Sequence, residues 1–244
     1  EVMMKQLKMT VLSNREVGLN TYEMKLQGAT TLKSGQFVEL LLPNHYLRRP
    51  FSVGFYKNNI LTILYKVLGE GTLDMTLIKP NETLDVLSEL GNSFDKTNVK
   101  SPLLIGGGIG AAPLFNLAND FFESGITPTV VLGFKTKSEI FYLEKFKKIS
   151  NVIVATDDGS FGIKGNAVDA VTQSDLSYDK YYACGVMPML KGIQKTLGNN
   201  GELSLEARMG CGFGACMGCS IQTTKGNRRV CKEGAIFNAA EVIF

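Results

Sequence analysis

The sequence predicts a multidomain β plus α/β protein. An antiparallel β barrel is expected over residues 1–98, a parallel-sheet α/β domain over 99–200, and a small cysteine-bearing domain over 201–244. Three observations carry this. The first hundred residues hold short apolar runs separated by turn residues, with few stretches at helical spacing. From Ser101 onward, apolar runs alternate with helix-like segments, as in strands joined by right-handed crossovers. Near Gly201 that alternation stops, and four of the five cysteines fall between Cys211 and Cys231.

In the barrel region, Thr21–Leu26 alternates loosely and Phe37–Leu42 is a dense apolar run. Asn58-Asn59 between Phe51–Tyr56 and Ile60–Lys66 signals a hairpin. Thr72–Ile78 reads as a short helix and Thr83–Leu87 as a further strand. In the α/β region the strands are Leu103–Ile105, Thr129–Gly133, Val152–Thr156 and Tyr181–Ala183. The helices are Ala112–Glu123, Ile140–Lys147, Ala167–Thr172 and Pro188–Leu197.

Composition excludes several classes. Net charge is only +3, and Arg48-Arg49 and Arg228-Arg229 are isolated pairs, so no basic face for nucleic acid is expected. No apolar run approaches the roughly 20 residues of a membrane helix. The start, Glu1–Leu7, lacks a signal-peptide core, so a cytoplasmic protein is expected. A single histidine, His45, argues against a multi-histidine metal site.

The cysteines carry the strongest signal. Cys211, Cys216 and Cys219 follow a C-x4-C-x2-C spacing, with Cys231 completing the set. That is the plant-type [2Fe–2S] spacing. Gly210, Gly212, Gly214 and Gly218 let the backbone wrap closely and aim N–H groups at sulfur. The competing reading is a structural zinc site. Zinc sites favour two short cysteine pairs, and only Cys216 and Cys219 form one.

Arg49-Pro50-Phe51-Ser52 opens a predicted strand. An arginine there offers a fork of donors to a pyrophosphate, and Ser52 offers a hydroxyl to a flavin ring nitrogen. Leu64-Tyr65-Lys66 follow. Gly71-Thr72 then brings backbone N–H groups to the same phosphates at a helix start. Read alone, Arg-Pro-Phe-Ser is equally a β-edge turn with a surface arginine. The second element and the nucleotide fold behind it favour the flavin reading.

Gly106-Gly107-Gly108-Ile109-Gly110-Ala111-Ala112-Pro113 follows a strand and opens a helix, the context of a phosphate-binding turn. Gly107, Gly108 and Gly110 are the candidates for close backbone approach to a dinucleotide. The spacing differs from G-x-G-x-x-G, and a merely tight strand-to-helix turn stays open as an alternative. Asp157 ends another strand on the same side of the sheet, as a crevice residue or a simple turn. Cys184 also ends a strand, either as a small buried hydrophobe or as a neighbour of the nicotinamide.

Taken in order, these residues resemble the ferredoxin-reductase-like superfamily, and within it the electron transfer subunits of two-component dihydroorotate dehydrogenases. The resemblance covers essentially the whole chain. It runs through Arg49–Ser52, Tyr65-Lys66-Val67 with Gly71-Thr72, Leu90–Phe94, Gly106–Pro113, Gly133–Lys137 and Thr156–Gly162. Its most specific part is Glu206–Cys219 with Val230–Gly234. One departure stands out: the family's usual Cys-Gly-Pro reads Cys184-Gly185-Val186.

The resemblance implies FAD held by Arg49–Ser52, Leu64–Lys66 and Gly71-Thr72, and NAD on the glycine loop. It also implies a [2Fe–2S] cluster on Cys211, Cys216, Cys219 and Cys231. The implied partner is an FMN-containing catalytic subunit that oxidises dihydroorotate, in a heterotetramer of two plus two. Electrons would run from that FMN through the cluster and FAD to NAD+ in pyrimidine biosynthesis. An alternative keeps the cofactors and changes the partner: the small subunit of an NADH-dependent ferredoxin:NADP+ oxidoreductase or a sulfide dehydrogenase. Lys135 and Lys137 are placed either to meet a ribose 2′-phosphate or to form a solvated loop, so NAD rests on the resemblance.

Overall fold

The computed structural model describes residues 4–28 and 31–244. Residues 1–3, where the sequence reading looked for a signal-peptide core, lie outside the described residues.

Seven strands form one antiparallel sheet: β1 (Lys5–Gly18), β2 (Thr21–Gln27), β3 (Phe37–Leu41), β4 (Arg49–Ser52), β5 (Phe55–Lys57), β6 (Ile60–Lys66) and β7 (Thr83–Leu90). Their order is β4-β3-β7-β1-β2-β6-β5. The edge strands β4 and β5 are joined by Val53 and Gly54 alone. Two residues reach about 7 Å, far less than the width of a flat sheet whose strands lie about 4.8 Å apart. The sheet therefore curls until its edges meet. Val53 N–H donates to the Gln36 carbonyl at 2.9 Å and Gly54 N–H to the Thr62 carbonyl at 3.0 Å. Gly54 is required here, since a Cβ would lie 2.8 Å from Leu64 Cδ1 and 3.1 Å from the Thr62 carbonyl oxygen. The single strand expected over Phe51–Tyr56 is thus two strands at opposite edges. Met9, Met24, Leu26, Val38, Leu40 and Ile63 fill the barrel. Helix α1 (Glu70–Met75) follows β6.

The second sheet begins with β8 (Pro102–Gly107), β9 (Thr129–Phe134), β10 (Asn151–Thr156), β11 (Ile163–Lys164), β12 (Lys180–Cys184) and β13 (Gly201–Ser204), all parallel. Between these strands run α2 (Ala111–Glu123), α3 (Leu143–Lys147), α4 (Ala167–Gln173) and α5 (Met187–Leu197). The tail contributes the hairpin β14 (Ser220–Thr223) and β15 (Gly226–Arg229), then α6 (Val230–Glu233) and β16 (Ile236–Asn238). β16 pairs antiparallel with β13, giving the order β11-β10-β9-β8-β12-β13-β16. The alternation therefore continues past Gly201, which opens β13, and the cysteine-bearing tail returns to close that edge. The helix expected over Ile140–Lys147 shortens to α3, because Ile140 is extended and Tyr142 takes a left-handed φ of 59°.

Apolar side chains cover both faces of this sheet. Leu114, Leu117 and Phe121 of α2 pack on one face. Ala170, Leu190 and Ile193 pack on the other, together with Val230 and Phe237 of the tail. Among the described residues no helix is long and apolar enough to cross a membrane.

Two joints fix the barrel against its neighbours. Asn92 clamps the tail: its N–H donates to the Gly234 carbonyl at 2.6 Å, its Nδ2 to the Ile236 carbonyl at 2.8 Å, and its Oδ1 accepts from Ile236 N–H at 2.9 Å. Glu23 of β2, fully buried, bonds the Tyr142 hydroxyl, Lys145 Nζ at 3.0 Å and Arg15 Nη2 at 3.0 Å. Burial alone would raise the Glu23 carboxyl. The bonds from Tyr142, Lys145 and Arg15 outweigh it and hold the group at about 2.

Candidate functional site

The chain enters the parallel sheet at its middle strand, β8, and runs outward through β9, β10 and β11. It then returns to β12 and β13 on the other side. Such a switch point splays the loops at the carboxyl ends of β8 and β12, where open α/β sheets take ligands. A cleft of about 300 Å³ opens there between sheet and barrel.

One wall is barrel: Pro50, Phe51 and Ser52 of β4, Leu64, Tyr65 and Lys66 of β6, and Thr72 of α1. The other wall is sheet: Ile109, Gly110 and Cys184. Ser204–Ala207 and Met209 complete it, two residues short of Cys211. Seven of the nine residues expected to hold flavin therefore line one cleft. The other two, Arg49 and Gly71, sit together beside it. A Cβ on Gly71 would lie 3.1 Å from Arg49 Nε, so the glycine lets the guanidinium rest on the first turn of α1. Arg49 is steadied by the Leu47 carbonyl at 2.6 Å and by His45 Nδ1 at 3.3 Å.

Thr72 also caps the helix start at which its backbone N–H was expected to serve. Its hydroxyl accepts from Leu68 N–H at 2.9 Å and Gly69 N–H at 3.1 Å, and donates to the Gly69 carbonyl at 3.0 Å. The hydroxyl is thus occupied in capping α1, and the helix offers the cleft its first backbone N–H groups. Two other side chains are also engaged. Tyr65 donates to Asn14 Oδ1 at 2.9 Å, and Lys66 pairs with Glu139 at 2.8 Å.

The glycine loop is shaped largely by the protein itself. A Cβ at Gly106 would meet Ala111 Cα at 2.8 Å, one at Gly107 would meet Met189 Sδ at 2.4 Å, and one at Gly110 would meet the Cys184 carbonyl oxygen at 2.4 Å. Gly108 differs: it has a φ of 53° and nothing within 4 Å of where its Cβ would be. It is the one position in the turn left open to an incoming group. Asp157 follows β10 directly, two strands from β8, is exposed, and does not line the cleft. Cys184 does line it, buried, paired in register with Ser204. Burial pushes its thiol up to about 12, with a Ser204 hydrogen bond opposing, so it faces the cleft protonated.

The other four cysteines stand as two pairs. Cys219 and Cys231 are buried with sulfurs 3.2 Å apart, and Cys231 N–H points at Cys219 Sγ at 3.4 Å. Cys211 and the exposed Cys216 are linked by Cys216 N–H on Cys211 Sγ at 3.4 Å. Among the described residues, no three metal-ligating side chains yet converge on one point. The donor chemistry nevertheless fits thiolate ligation. Partial burial raises the Cys211 thiol, but N–H groups of Cys216, Phe213 and Ala215 outweigh it and bring the thiol down to about 6. Arg229 braces the loop, donating to the Gly214 carbonyl at 2.7 Å while paired with Glu233. The sequence reading missed Glu39, a buried carboxyl directly beneath Gly212. Its signal was present: one acid inside an otherwise apolar run.

Comparison with known proteins agrees with this geometry. Residues 206–243 match the model for the iron-sulfur cluster binding domain of dihydroorotate dehydrogenase B. The chain is 40% identical to a dihydroorotate dehydrogenase B (NAD(+)) electron transfer subunit from Fusobacterium nucleatum, with 96% of each chain covered. It is 37% identical to the subunit of the same name from Bacillus pumilus, with 98% of each covered. Among solved structures, an NADH-dependent reduced ferredoxin-NADP oxidoreductase superposes with a TM-score of 0.87 at 28% identity, over 96% of this chain and 89% of the other. Phthalate dioxygenase reductase shares the fold, with a TM-score of 0.67 at 16% identity over 81% of this chain and 67% of the other. With near-complete coverage at this identity, and with the cysteine tail matched to its own family model, the chain belongs to the family of dihydroorotate dehydrogenase B (NAD(+)) electron transfer subunits.

Proposed function

We propose that this chain is the NAD-linked oxidoreductase subunit that carries electrons from a dihydroorotate-oxidising catalytic subunit to NAD+ in pyrimidine biosynthesis. Its cofactors are FAD, a [2Fe–2S] cluster and NAD. The observation that carries this is the cleft. Barrel wall, nucleotide-sheet loop and the approach to the cysteine loop meet around one space. A flavin exchanges one or two electrons, the cluster one, and nicotinamide a hydride, so this set converts single electrons into a hydride.

The chain's own residues supply binding and orientation. Arg49 and the first N–H groups of α1 hold the flavin pyrophosphate. Pro50–Ser52 and Leu64–Lys66 form the wall against which the ring lies. Gly108 admits the dinucleotide phosphates, while Gly107 and Gly110 keep the turn tight. Cys184 lies where the nicotinamide enters. Cys211, Cys216, Cys219 and Cys231 would hold the cluster, and their arrangement as two close sulfur-bearing pairs supports that reading. Cys216, Phe213 and Met217 are exposed and form the edge that a partner's flavin approaches. That partner is an FMN-bearing catalytic subunit in a two-plus-two heterotetramer. The compartment is the cytoplasm, where four free thiols stay available for iron.

Anaerobically purified protein tests this. About two irons, two sulfides and one FAD per chain support it. Zinc without flavin overturns it. The likeness to the ferredoxin-NADP oxidoreductase favours one second reading, a small subunit of that kind of complex. Co-purification of a larger iron–sulfur flavoprotein, in place of an FMN subunit, would select it.

A further inference from the structure

Glu39 sits on β3 in the run Phe37-Val38-Glu39-Leu40-Leu41-Leu42. It is 1% exposed, and neither carboxylate oxygen has a hydrogen-bond partner among the described residues. The neighbouring Arg48 is committed elsewhere, to Asp85 Oδ1 at 2.6 Å and the Asp85 carbonyl at 3.0 Å. Packing alone does not explain such a group. A leucine or glutamine of similar size would cost far less to bury.

What the carboxyl touches is the cysteine loop. A Cβ on Gly212 would lie 2.3 Å from Glu39 Cδ and 2.4 and 2.5 Å from its two oxygens. Gly212 has a φ of 74° and begins the turn from Cys211 to Cys216. Two residues earlier on the same strand face, Phe37 lines the cleft. β3 thus runs from the cleft wall to the floor of the thiol loop. Opposite Glu39 in register is Pro50, another cleft residue.

We infer that Glu39 is a positioning residue for the cluster: its carboxylate seats the Gly212 turn and places a buried negative charge beneath the iron site, which lowers the cluster's reduction potential. The inference rests on the [2Fe–2S] assignment above. Reduction of the cluster adds one electron and makes or breaks no bond. The added negative charge is what a carboxylate in a low-dielectric site opposes. A cluster so tuned gives its electron up more readily toward the cleft.

The test is EPR-monitored redox titration of the holoprotein with dithionite and mediator dyes, at one mildly alkaline pH. Wild type, Glu39→Gln and Glu39→Asp are compared, with iron and sulfide assayed in each. Glu39→Gln keeps the shape and removes the charge, so its midpoint potential is expected to move positive. Glu39→Asp keeps the charge and is expected to stay near wild type. An unshifted Glu39→Gln at full iron content overturns the inference, as does an equal shift in both variants. Should Glu39→Gln purify without iron, full cluster occupancy in Glu39→Asp supports the role of the charge. Loss of iron from both assigns Glu39 to packing and overturns it. A wild-type protein lacking the cluster would instead sink the functional reading on which this one depends.

Discussion

The molecule holds two glycine-rich loops, and they use glycine for different ends. In the nucleotide loop, Gly106, Gly107 and Gly110 are pressed against Ala111, Met189 and the Cys184 carbonyl. The turn is locked by the protein's own packing before any ligand arrives. In the cysteine loop, a Cβ on Gly210 or Gly218 would lie 3.6 Å from Cys216 Sγ, and Gly212 and Gly214 face charged side chains. That loop rests on thiols and on the charged side chains of Glu39, Lys232 and Arg229. The first loop is held by close packing, the second by sulfur and charge.

The largest test of that contrast is Cys216→Ser. NAD+-linked turnover of the complex is expected to fall to background, while the catalytic partner still reduces an artificial acceptor. Amide exchange is expected to rise across 210–218 and stay unchanged across 106–112. A rise in both loops would show that the nucleotide loop is not preformed. Gly110→Ala attacks the other side. Its Cβ would meet backbone, not a flexible side-chain end, at 2.4 Å. Overpacking of this kind costs about 3 kcal/mol, read as a lowered Tm with the iron content kept.

The Glu23 joint sharpens the comparison, because Tyr142 packs edge-on to Phe115 of α2, the helix behind the nucleotide loop. Glu23 is held at about 2, below its unfolded value, so it stabilises fully above the unfolded value of roughly 4.3. That stability is lost as pH falls from there toward about 2. Tyr142→Phe is expected to cost about 1–3 kcal/mol at neutral pH and to move acid unfolding to higher pH, followed by circular dichroism. The smallest effect is expected from Gly108→Ala. No atom obstructs it, so only the left-handed φ is charged, at about 1 kcal/mol. Its mark is a raised KM for NADH. An unchanged KM would place the dinucleotide away from this turn.

Much of this was legible because the signals are local. β6 falls on the residues that the Asn58-Asn59 hairpin signal marks, and the cysteine spacing needs no tertiary context. What stayed hidden depends on distant partners. β1 is a strand of 14 residues, yet only Met9 and Val11 within it are buried, so its sequence reads as polar chain until β2 and β7 flank it. The break at Val53-Gly54 follows from barrel closure. β13 and β16 are short, and each is a strand only because the other lies beside it and β12 offers an edge. Glu39 was visible as an oddity, but its meaning needed Gly212, more than 170 residues away.

The place of β1 also bears on how the chain is made. It is a central strand, with β2 on one side and β7 on the other, and its register with β7 ties Lys5 to Ser88. During synthesis β2 is available almost at once, whereas β7 emerges some eighty residues later. Over that interval the nascent barrel presents an unsatisfied strand edge to every other chain nearby, the condition under which β proteins mispair. A translational pause before residue 83 would prolong that hazard, and one after residue 90 would relieve it.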